Sequence, residues 1–295
     1  MSIGNALQIR TIRCGDRAHT GRFLAAGASL TLAAWALGLA VTGIGASATG
    51  EMSLDVYLAQ HRSPALSQVA LVIDVLLGVS VAPIVLVAIA ALVAKILHWM
   101  AGVLVVVVTG AAWSAGAIVK LVVHRSRPPG GVLHALVSET GTDSFPSGHT
   151  AFAAGLLASA VLISYVYGRS AWGTVVLGLP APLVVGVSRL YLGVHYLADV
   201  IGSCLVASAS TLVLVGTYSA GLRLLEGRSR RNVVSSDTPV EGVAVQPALA
   251  AESEDHTRPD GVEDDPRLPE WVETSSGQVD TLMDMMGGQD ADTPR

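Results

Sequence analysis

Charged residues are scarce in this chain of 295 residues: they account for 14% of it, against 51% for hydrophobic residues. With a mean hydropathy of +0.56, this balance places the sequence in the membrane class. Aromatic residues are also few, at 5%, and no basic stripe with interleaved aromatics occurs. The sequence therefore argues against a nucleic-acid-binding protein.

Cysteine is nearly absent. The two cysteines are Cys14, in a polar N-terminal arm, and Cys204, inside an apolar run. A bond between them would require the arm to enter the bilayer. The sequence therefore predicts neither a disulfide framework nor a cysteine-based metal site.

Acidic residues are unevenly distributed along the chain. Residues 232–295 contain 15 of the 23 acidic residues but only three arginines. Such a polar segment buries too little apolar surface to offset the entropy of ordering it. We predict a basic cytoplasmic arm over 1–22, a membrane domain over 23–220 and a mostly disordered acidic cytoplasmic tail over 221–295. Apolar residues such as Trp271 leave open a partner-binding patch in the tail, although an idle tail is the simpler interpretation.

Six stretches are apolar enough for spans of about 20 residues. They cover 23–46, 69–94, 101–123, 148–167, 171–190 and 197–220. The first is longer than the apolar core of a secretory signal, which has about 7–15 residues, and is predicted to be an uncleaved span. Gly78 and Pro83 predict a kink in the second. The expected fold is all-α, a bundle of six transmembrane helices.

Basic residues near the span ends predict the orientation. With a cytoplasmic N-terminus, the inner segments hold the arginines of the arm, Lys95, Arg169 and a cluster of arginines after residue 220. We therefore predict a multi-pass protein of the plasma or inner membrane with both termini in the cytoplasm. Arg125 and Arg127 lie in the predicted outer segment 124–147. Basic residues are disfavoured in outer segments, so the presence of these two arginines requires a local explanation.

Three groups of polar residues lie at predicted span ends on the same outer face. The first combines Lys120 with Arg127, seven residues further on, which places both cations on one helical stripe. The second is the PSGH sequence of residues 146–149, at the start of the fourth span. The third group lies between the fifth and sixth spans and contains Ser188, Arg189, His195 and Asp199.

These residue types suit phosphate chemistry. Lys120, Arg127 and Arg189 offer three cations, and each arginine can bind a phosphate in a bidentate manner. A helix that starts at Ser147 and Gly148 presents backbone N–H groups, which bind anions.

Two histidines have separate predicted tasks. His195 and Asp199 are four residues apart, so the carboxylate can accept the proton on Nδ1 and leave Nε2 free as a nucleophile. His149 is a second imidazole that suits general acid catalysis.

The combined pattern K-x6-RP, PSGH and SR-x5-H-x3-D resembles the three-part signature of the type 2 phosphatidic acid phosphatase superfamily. That superfamily also includes soluble bacterial acid phosphatases and vanadium haloperoxidases. The resemblance covers roughly residues 23–220, and no signature position is substituted.

The resemblance implies a role for each matching residue. His195 attacks phosphorus and forms a phosphohistidine, Asp199 orients His195, and His149 protonates the leaving oxygen and then activates water. The residues implied to hold the phosphoryl oxygens are Lys120, Arg127, Ser147, Gly148 and Arg189. No cofactor and no metal are expected.

Other polar residues receive a plainer interpretation. Arg62 and Arg125 are predicted to be interfacial anchors, because arginines at span ends commonly are. Asp74, inside the second span, is left open between a functional role and pairing with an outer cation. The histidines placed outside the site are His61, His98, His124 and His134.

The leading hypothesis is a metal-independent membrane phosphatase that acts on a lipid or polyprenyl phosphate at the extracytoplasmic face. Within bacteria the resemblance favours polyprenyl diphosphate recycling for cell-envelope synthesis. Phosphatidylglycerophosphate and phosphatidic acid are rival substrates, and a lipid phosphotransferase would use the same residues. A haloperoxidase is disfavoured because those relatives are generally soluble. From another class, a six-span transporter would bind an anion without turnover, although transporter sites commonly lie near the bilayer midplane.

Overall fold

The computed structural model describes residues 17–139 and 141–236, and the helices account for most of them. Within these ranges no strand occurs, only an isolated bridge between Ser126 and Asp143. The predicted all-α fold is confirmed. The helices are α1 (Arg17–Ile44), α2 (Glu51–Gln60), α3 (Pro64–Leu77), α4 (Ala82–Ile96), α5 (Trp99–Val123), α6 (Gly130–Leu133), α7 (Gly148–Val166), α8 (Ala171–Gly178), α9 (Pro180–Tyr191) and α10 (Leu197–Ser236).

Five helical stretches in the described part of the chain are long and apolar enough to cross a membrane, and the bent pair α3–α4 makes a sixth if it is one span. Their outward surfaces are apolar, as contact with lipid tails requires: Leu121 is 72% exposed and Leu177 is 84% exposed. The five stretches are His19–Ile44, Trp99–Val123, Gly148–Val166, Ala171–Tyr191 and Leu197–Leu225.

Helix α10 extends past the predicted end of the sixth span at residue 220 and continues to Ser236. The rest of the predicted acidic tail, with its partner-binding patch, lies outside the described residues. So do residues 1–16 of the predicted basic arm.

The predicted second span, 69–94, is not one continuous helix. Helix α3 ends at Leu77 and α4 begins at Ala82, and the two axes differ by 79°. Gly78 is extended at the C-cap of α3, with ψ 156°. Pro83 lies in the first turn of α4, where its missing N–H is tolerated but where it cannot continue a preceding helix. The predicted kink is therefore confirmed, and it is a full break.

Helix α3 lies over the end of α9 rather than alongside it. At its start, the backbone N–H of Ser63 donates to the hydroxyl of Tyr191 over 2.6 Å. In its middle, Ala70 packs in one buried cluster with Tyr191 and Leu192. Its outward side is apolar, with Val72 56% and Val75 61% exposed.

Small residues bring the spans α5 and α7 close together. A Cβ added to Gly155 would lie 2.9 Å from the Cβ of Ala112 and 3.0 Å from the Cα of Thr109. Glycine permits this approach, as it does in many membrane helix pairs. The contact joins the middle of α5 to the first half of α7.

Several helix ends meet at one end of the bundle. The backbone N–H of Ser147, before α7, donates to the carbonyl of Asp199 in α10. The backbone N–H of Ala198, in α10, donates to Glu51 at the start of α2. Because α9 ends at Tyr191, shortly before α10 begins, the three predicted polar groups lie on the same end of the fold.

Candidate active site

His195 and Asp199 are in contact, as their spacing predicts. Nδ1 of His195 lies 3.3 Å from Oδ2 of Asp199, and the two side chains are 2% and 0% exposed. His195 precedes α10 rather than lying on it, so the pair spans a helix start. Asp199 also accepts a hydrogen bond from the backbone N–H of Tyr196 over 2.9 Å. Tyr196 directly precedes α10 and Asp199 lies in its first turn, so this is the hydrogen bond of a capping box.

The contacts of His195 define which nitrogen carries its proton. Nε2 lies 3.2 Å from Nη1 of Arg127, and a guanidinium can only donate. Nε2 is therefore the acceptor, and Nδ1 carries the proton and donates to Asp199. Burial, outweighing the opposing effect of Asp199, lowers the pKa of His195 to about 4. The imidazole is consequently neutral at pH 7, with its lone pair on Nε2.

His149 lies in the first turn of α7, behind the N-cap Ser147. Its Nε2 lies 3.2 Å from the backbone carbonyl of Asp74 and 3.6 Å from the Oδ1 of that residue. A carbonyl only accepts, so Nε2 of His149 carries a proton in this arrangement. The structure thus assigns the two imidazoles opposite donor and acceptor roles at Nε2.

Ser147 and Gly148 lie at the start of α7, as predicted. The Ser147 side chain is fully buried and caps the helix by accepting the N–H of Thr150 over 3.4 Å. Its own backbone N–H already donates to the carbonyl of Asp199 over 3.2 Å. Ser147 therefore joins α7 to α10, and Gly148 is the half-buried residue that follows.

Arg189 is the largest fully buried side chain among the described residues. Its Nη1 lies 2.5 Å from Oδ1 of Asp74, and its Nη2 pairs with Glu139. Its Nε is buried and has no hydrogen-bond partner within the described chain. Asp74 therefore pairs with an outer cation, the structural alternative that the sequence left open, and also adjoins His149.

Glu139 lies between the two arginines. Its carboxylate pairs with Arg189 and lies 3.7 Å from Nη2 of Arg127. Burial would raise the pKa of Glu139, but the charges of Arg189 and Arg127 outweigh it, aided by the nearby imidazoles of His195 and His149, and hold that pKa below its usual value. A carboxylate thus occupies the place where two arginines and two imidazoles face each other.

Lys120 is near this cluster but contacts a different partner. Its ammonium donates to the backbone carbonyls of Asp143 and Ser144, over 2.9 and 3.3 Å. It therefore holds the loop that leads into the PSGH sequence. His124, which the sequence placed outside the site, is exposed and pairs with Asp143 at 3.4 Å.

The predictions for Arg125 and Arg62 as interfacial anchors are wrong. Arg125 is 3% exposed and pairs with both Glu51 and Asp199. Arg62 donates to the backbone carbonyls of Tyr191, Leu133 and His134. Each of these two arginines has fixed acceptors within the protein, which is a local reason for its position.

Comparison with known proteins finds a family that part of this chain resembles. Residues 99–221 match the model of the PAP2 superfamily, and this range contains all three predicted polar groups. Over this range, which is less than half of the chain, the protein is similar to the PAP2 superfamily.

Two similar proteins come from Bacillus subtilis. The undecaprenyl-diphosphatase BcrC of strain 168 is 34% identical over 91 residues, which are 30% of this chain and 44% of the relative. The chain thus covers less than half the length of that relative. The crystal structure of the first transmembrane PAP2-type phosphatidylglycerolphosphate phosphatase has a TM-score of 0.52 and 24% identity, over 65% of this chain and 94% of that one. The shared fold and the apolar spans make this protein a multi-pass membrane protein.

The position of Glu139 leads to a prediction about anion binding to this protein. Glu139→Gln removes a negative charge that competes with an anion for Arg127 and Arg189. We expect vanadate to inhibit this variant at about tenfold lower concentration, which corresponds to about 1.4 kcal/mol of binding free energy. Inhibition of phosphate release by vanadate measures the effect.

Asp143→Asn is the matched control, because Asp143 lies on the same loop but pairs with His124 rather than with the arginines. An inhibition constant in Glu139→Gln equal to that of the control would show that Glu139 does not compete with anions.

Proposed function

We propose that the protein is an integral membrane phosphatase that hydrolyses a lipid or polyprenyl phosphate through a phosphohistidine at His195. One observation carries this proposal: Nη1 of Arg127 lies 3.2 Å from Nε2 of His195. An arginine able to hold a phosphoryl oxygen therefore lies beside the nitrogen that would attack phosphorus. Asp199 on the other side of the ring supplies the orienting carboxylate.

In the first step, Nε2 of His195 forms a bond to phosphorus, and the bond from phosphorus to the oxygen of the leaving lipid alcohol or lipid monophosphate breaks. The electron pair of that bond stays on the leaving oxygen, which receives the Nε2 proton of His149 in its imidazolium form, so that His149 becomes neutral with a lone pair on Nε2. The leaving oxygen thereby replaces the carbonyl of Asp74 as the acceptor of this proton. Asp199 balances the positive charge that develops on the ring of His195.

In the second step, His149 accepts a proton from water as the water oxygen attacks phosphorus. The bond between phosphorus and Nε2 breaks, its electron pair returns to His195, and inorganic phosphate leaves. A lipid or sugar hydroxyl in place of water would make the same chemistry a phosphotransfer.

Cationic donors around the phosphoryl group provide the electrostatic stabilisation. Arg189 has a buried Nε without a partner in the described chain, and Arg127 faces the same acceptor, Glu139. Lys120, Ser147 and Gly148 are proposed to complete this set from the ends of α5 and α7. The charges on the arginines match those of a phosphoryl group, so the proposed mechanism needs no metal and no cofactor.

A polyprenyl diphosphate is the substrate class that we favour, for carrier recycling in cell-envelope synthesis. The similarity to an undecaprenyl-diphosphatase supports it. A phosphatidylglycerophosphate is the second candidate, supported by the similar fold of a phosphatase for that lipid. Phosphatidic acid is the third.

The assay that tests the proposed function is phosphate release by the purified full-length protein in detergent with a chelator present. Undecaprenyl diphosphate, phosphatidylglycerophosphate and phosphatidic acid are compared, with a His195→Ala preparation as the background. We expect release from at least one of them, with the diphosphate hydrolysed fastest. A folded preparation that binds these lipids but releases no phosphate would favour the transporter hypothesis instead.

The site is proposed to face the extracytoplasmic side, with both termini in the cytoplasm and residues 23–220 as the catalytic domain. The distribution of basic residues supports this orientation, because Lys95 and Arg169 lie at the end of the bundle away from the site. Arg125 and Arg127, which oppose the rule, are paired with acidic residues.

Labelling in intact cells tests the orientation. In a variant with Cys14 and Cys204 replaced by serine, Ser138→Cys is expected to react with a membrane-impermeant maleimide. Arg169→Cys is expected to react only after the membrane is permeabilised. Both positions are exposed on the protein. The reverse pattern would place the site in the cytoplasm.

A further inference from the structure

Arg125 links the pair of His195 and Asp199 to a second carboxylate, that of Glu51. Its Nη1 donates to Oδ1 of Asp199 over 2.8 Å, and its Nη2 donates to Oε2 of Glu51 over 2.5 Å. The other oxygen of Asp199 faces His195. The result is a buried series, Glu51–Arg125–Asp199–His195, in which every member is less than a tenth exposed.

Glu51 also fixes the helix that carries Asp199. Its Oε1 accepts the backbone N–H of Ala198 over 2.7 Å, and Ala198 lies in the first turn of α10. An acidic side chain at a helix start is stabilised by the free N–H groups there. Glu51 therefore holds both the guanidinium of Arg125 and the helix start beside Asp199.

The charges in this series explain why Arg125 needs Glu51. Arg125 alone would offset the negative charge with which Asp199 stabilises a positive ring on His195. Glu51 offsets Arg125 in turn, so the three charges together leave one negative charge next to His195. The ring of Tyr196, 4.3 Å from the guanidinium, covers the cation, which is the arrangement of a cation–π contact.

Asp55 lies in the same helix as Glu51 and is the other acidic group facing this series. It is 1% exposed, and neither of its carboxylate oxygens has a partner in the described chain. Burial raises the pKa of Asp55 to about 7, and the charges of Glu51 and Asp199 add to that shift. Below about pH 7 Asp55 is therefore mostly neutral, and it then adds no second full negative charge to the series.

We propose that Arg125 and Glu51 are positioning residues for the nucleophile: they hold Asp199 in place and set the charge that it presents to His195. This inference rests on the proposed function. Neither residue contacts His195, so each acts through Asp199. A purely structural ion pair would contribute to folding but would leave turnover per folded molecule unchanged.

The test compares Arg125→Met, Arg125→Lys, Glu51→Gln and the double variant Arg125→Met/Glu51→Gln in the phosphate-release assay, with rates expressed per monodisperse protein. We expect kcat to fall about 10- to 100-fold in Arg125→Met, the range found when an outer partner of a metal-bound histidine is removed. KM should change little, because Arg125 holds no substrate. Arg169→Met, which alters an exposed arginine at the other end of the bundle, should match the wild type.

The double variant separates charge balance from loss of contacts. It removes one positive and one negative charge and restores the single negative charge beside His195. We therefore expect it to be at least about fivefold faster than Arg125→Met, a non-additive result typical of residues in one network. Arg125→Lys keeps the charge and should retain more activity than Arg125→Met.

Glu51→Gln leaves the charge of Arg125 uncompensated, so its kcat should fall by more than about threefold. A kcat within about twofold of the wild type in Glu51→Gln would overturn the inference, since coupled residues change rates by more than this. If Arg125→Met does not fold, Glu51→Gln decides the question. A wild-type protein that releases no phosphate from any lipid would instead overturn the proposed function, and the two failures are thereby distinguished.

Discussion

Replacing His195 by alanine is expected to reduce phosphate release by at least about 10^4-fold, because loss of a nucleophile removes the covalent route entirely. Substrate binding should persist, since Arg127 and Arg189 remain. The measurement is initial-rate phosphate release from undecaprenyl diphosphate, together with equilibrium binding of the same lipid to the variant.

His61→Ala is the control for the His195 variant. His61 is an exposed histidine that contacts the carbonyl of Tyr57 at 2.8 Å, and its removal should leave the rate unchanged. If His195→Ala keeps even a tenth of the wild-type rate in a folded preparation, His195 is not the nucleophile.

Replacing Arg189 by methionine has the second largest expected effect, a loss of about 100- to 1,000-fold in kcat/KM, which is typical when one donor to a developing charge is removed. The structural reason is that Arg189 is fully buried and faces Glu139 and Asp74 with both of its terminal nitrogens. Steady-state kinetics on the purified variant measure the loss.

Arg189→Lys is the informative companion to Arg189→Met. Lysine restores the charge but not the planar set of donors, so its kcat/KM should lie between those of the wild type and the methionine variant. Arg22→Met, an exposed arginine at the start of α1, should be neutral. Equal kcat/KM for Arg189→Met and wild type would exclude Arg189 from the phosphate site.

Removal of Arg189 leaves two acidic side chains without their partner, and this consequence needs its own measurement. Asp74 and Glu139 are 23% and 21% exposed in their side chains, so water can solvate them in part. Thermal unfolding in detergent therefore has to accompany the kinetics. A variant with an unchanged unfolding temperature and a lost rate assigns the effect to the site.

The sequence identifies the chemical groups of this site because their spacing is local. The four-residue separation keeps His195 and Asp199 within reach of each other, and in the structure they are in contact although His195 lies before the start of α10. Gly78 and Pro83 predict a break in the second span for the same local reason, since each disrupts helix geometry within one turn. The 79° angle at that break cannot be predicted from the local sequence, because α3 packs against the distant helix α9.

Sequence analysis did not identify the roles of residues whose contact partners lie far away in the chain. Arg125 looks like an interfacial anchor in sequence, and only its contacts with Glu51 and Asp199, 74 residues away in each direction, show otherwise. Glu139 lies in a loop without periodicity, and its role follows from the two arginines that it faces. The signal in the sequence was that Arg125 lies in a segment predicted to be extracytoplasmic, against the usual distribution of basic residues. Its pairing with acidic residues is the physical explanation.

The central claim is that phosphorus is transferred to Nε2 of His195. The most direct measurement mixes the wild-type protein with undecaprenyl diphosphate labelled at the terminal phosphate and quenches the reaction in alkali within the first turnover. Peptide mapping should find the label on His195, attached to Nε2 because Nδ1 faces Asp199. A label on Nδ1 or on another residue, or turnover by wild type with no covalent phosphate on the protein at any time, would contradict the account.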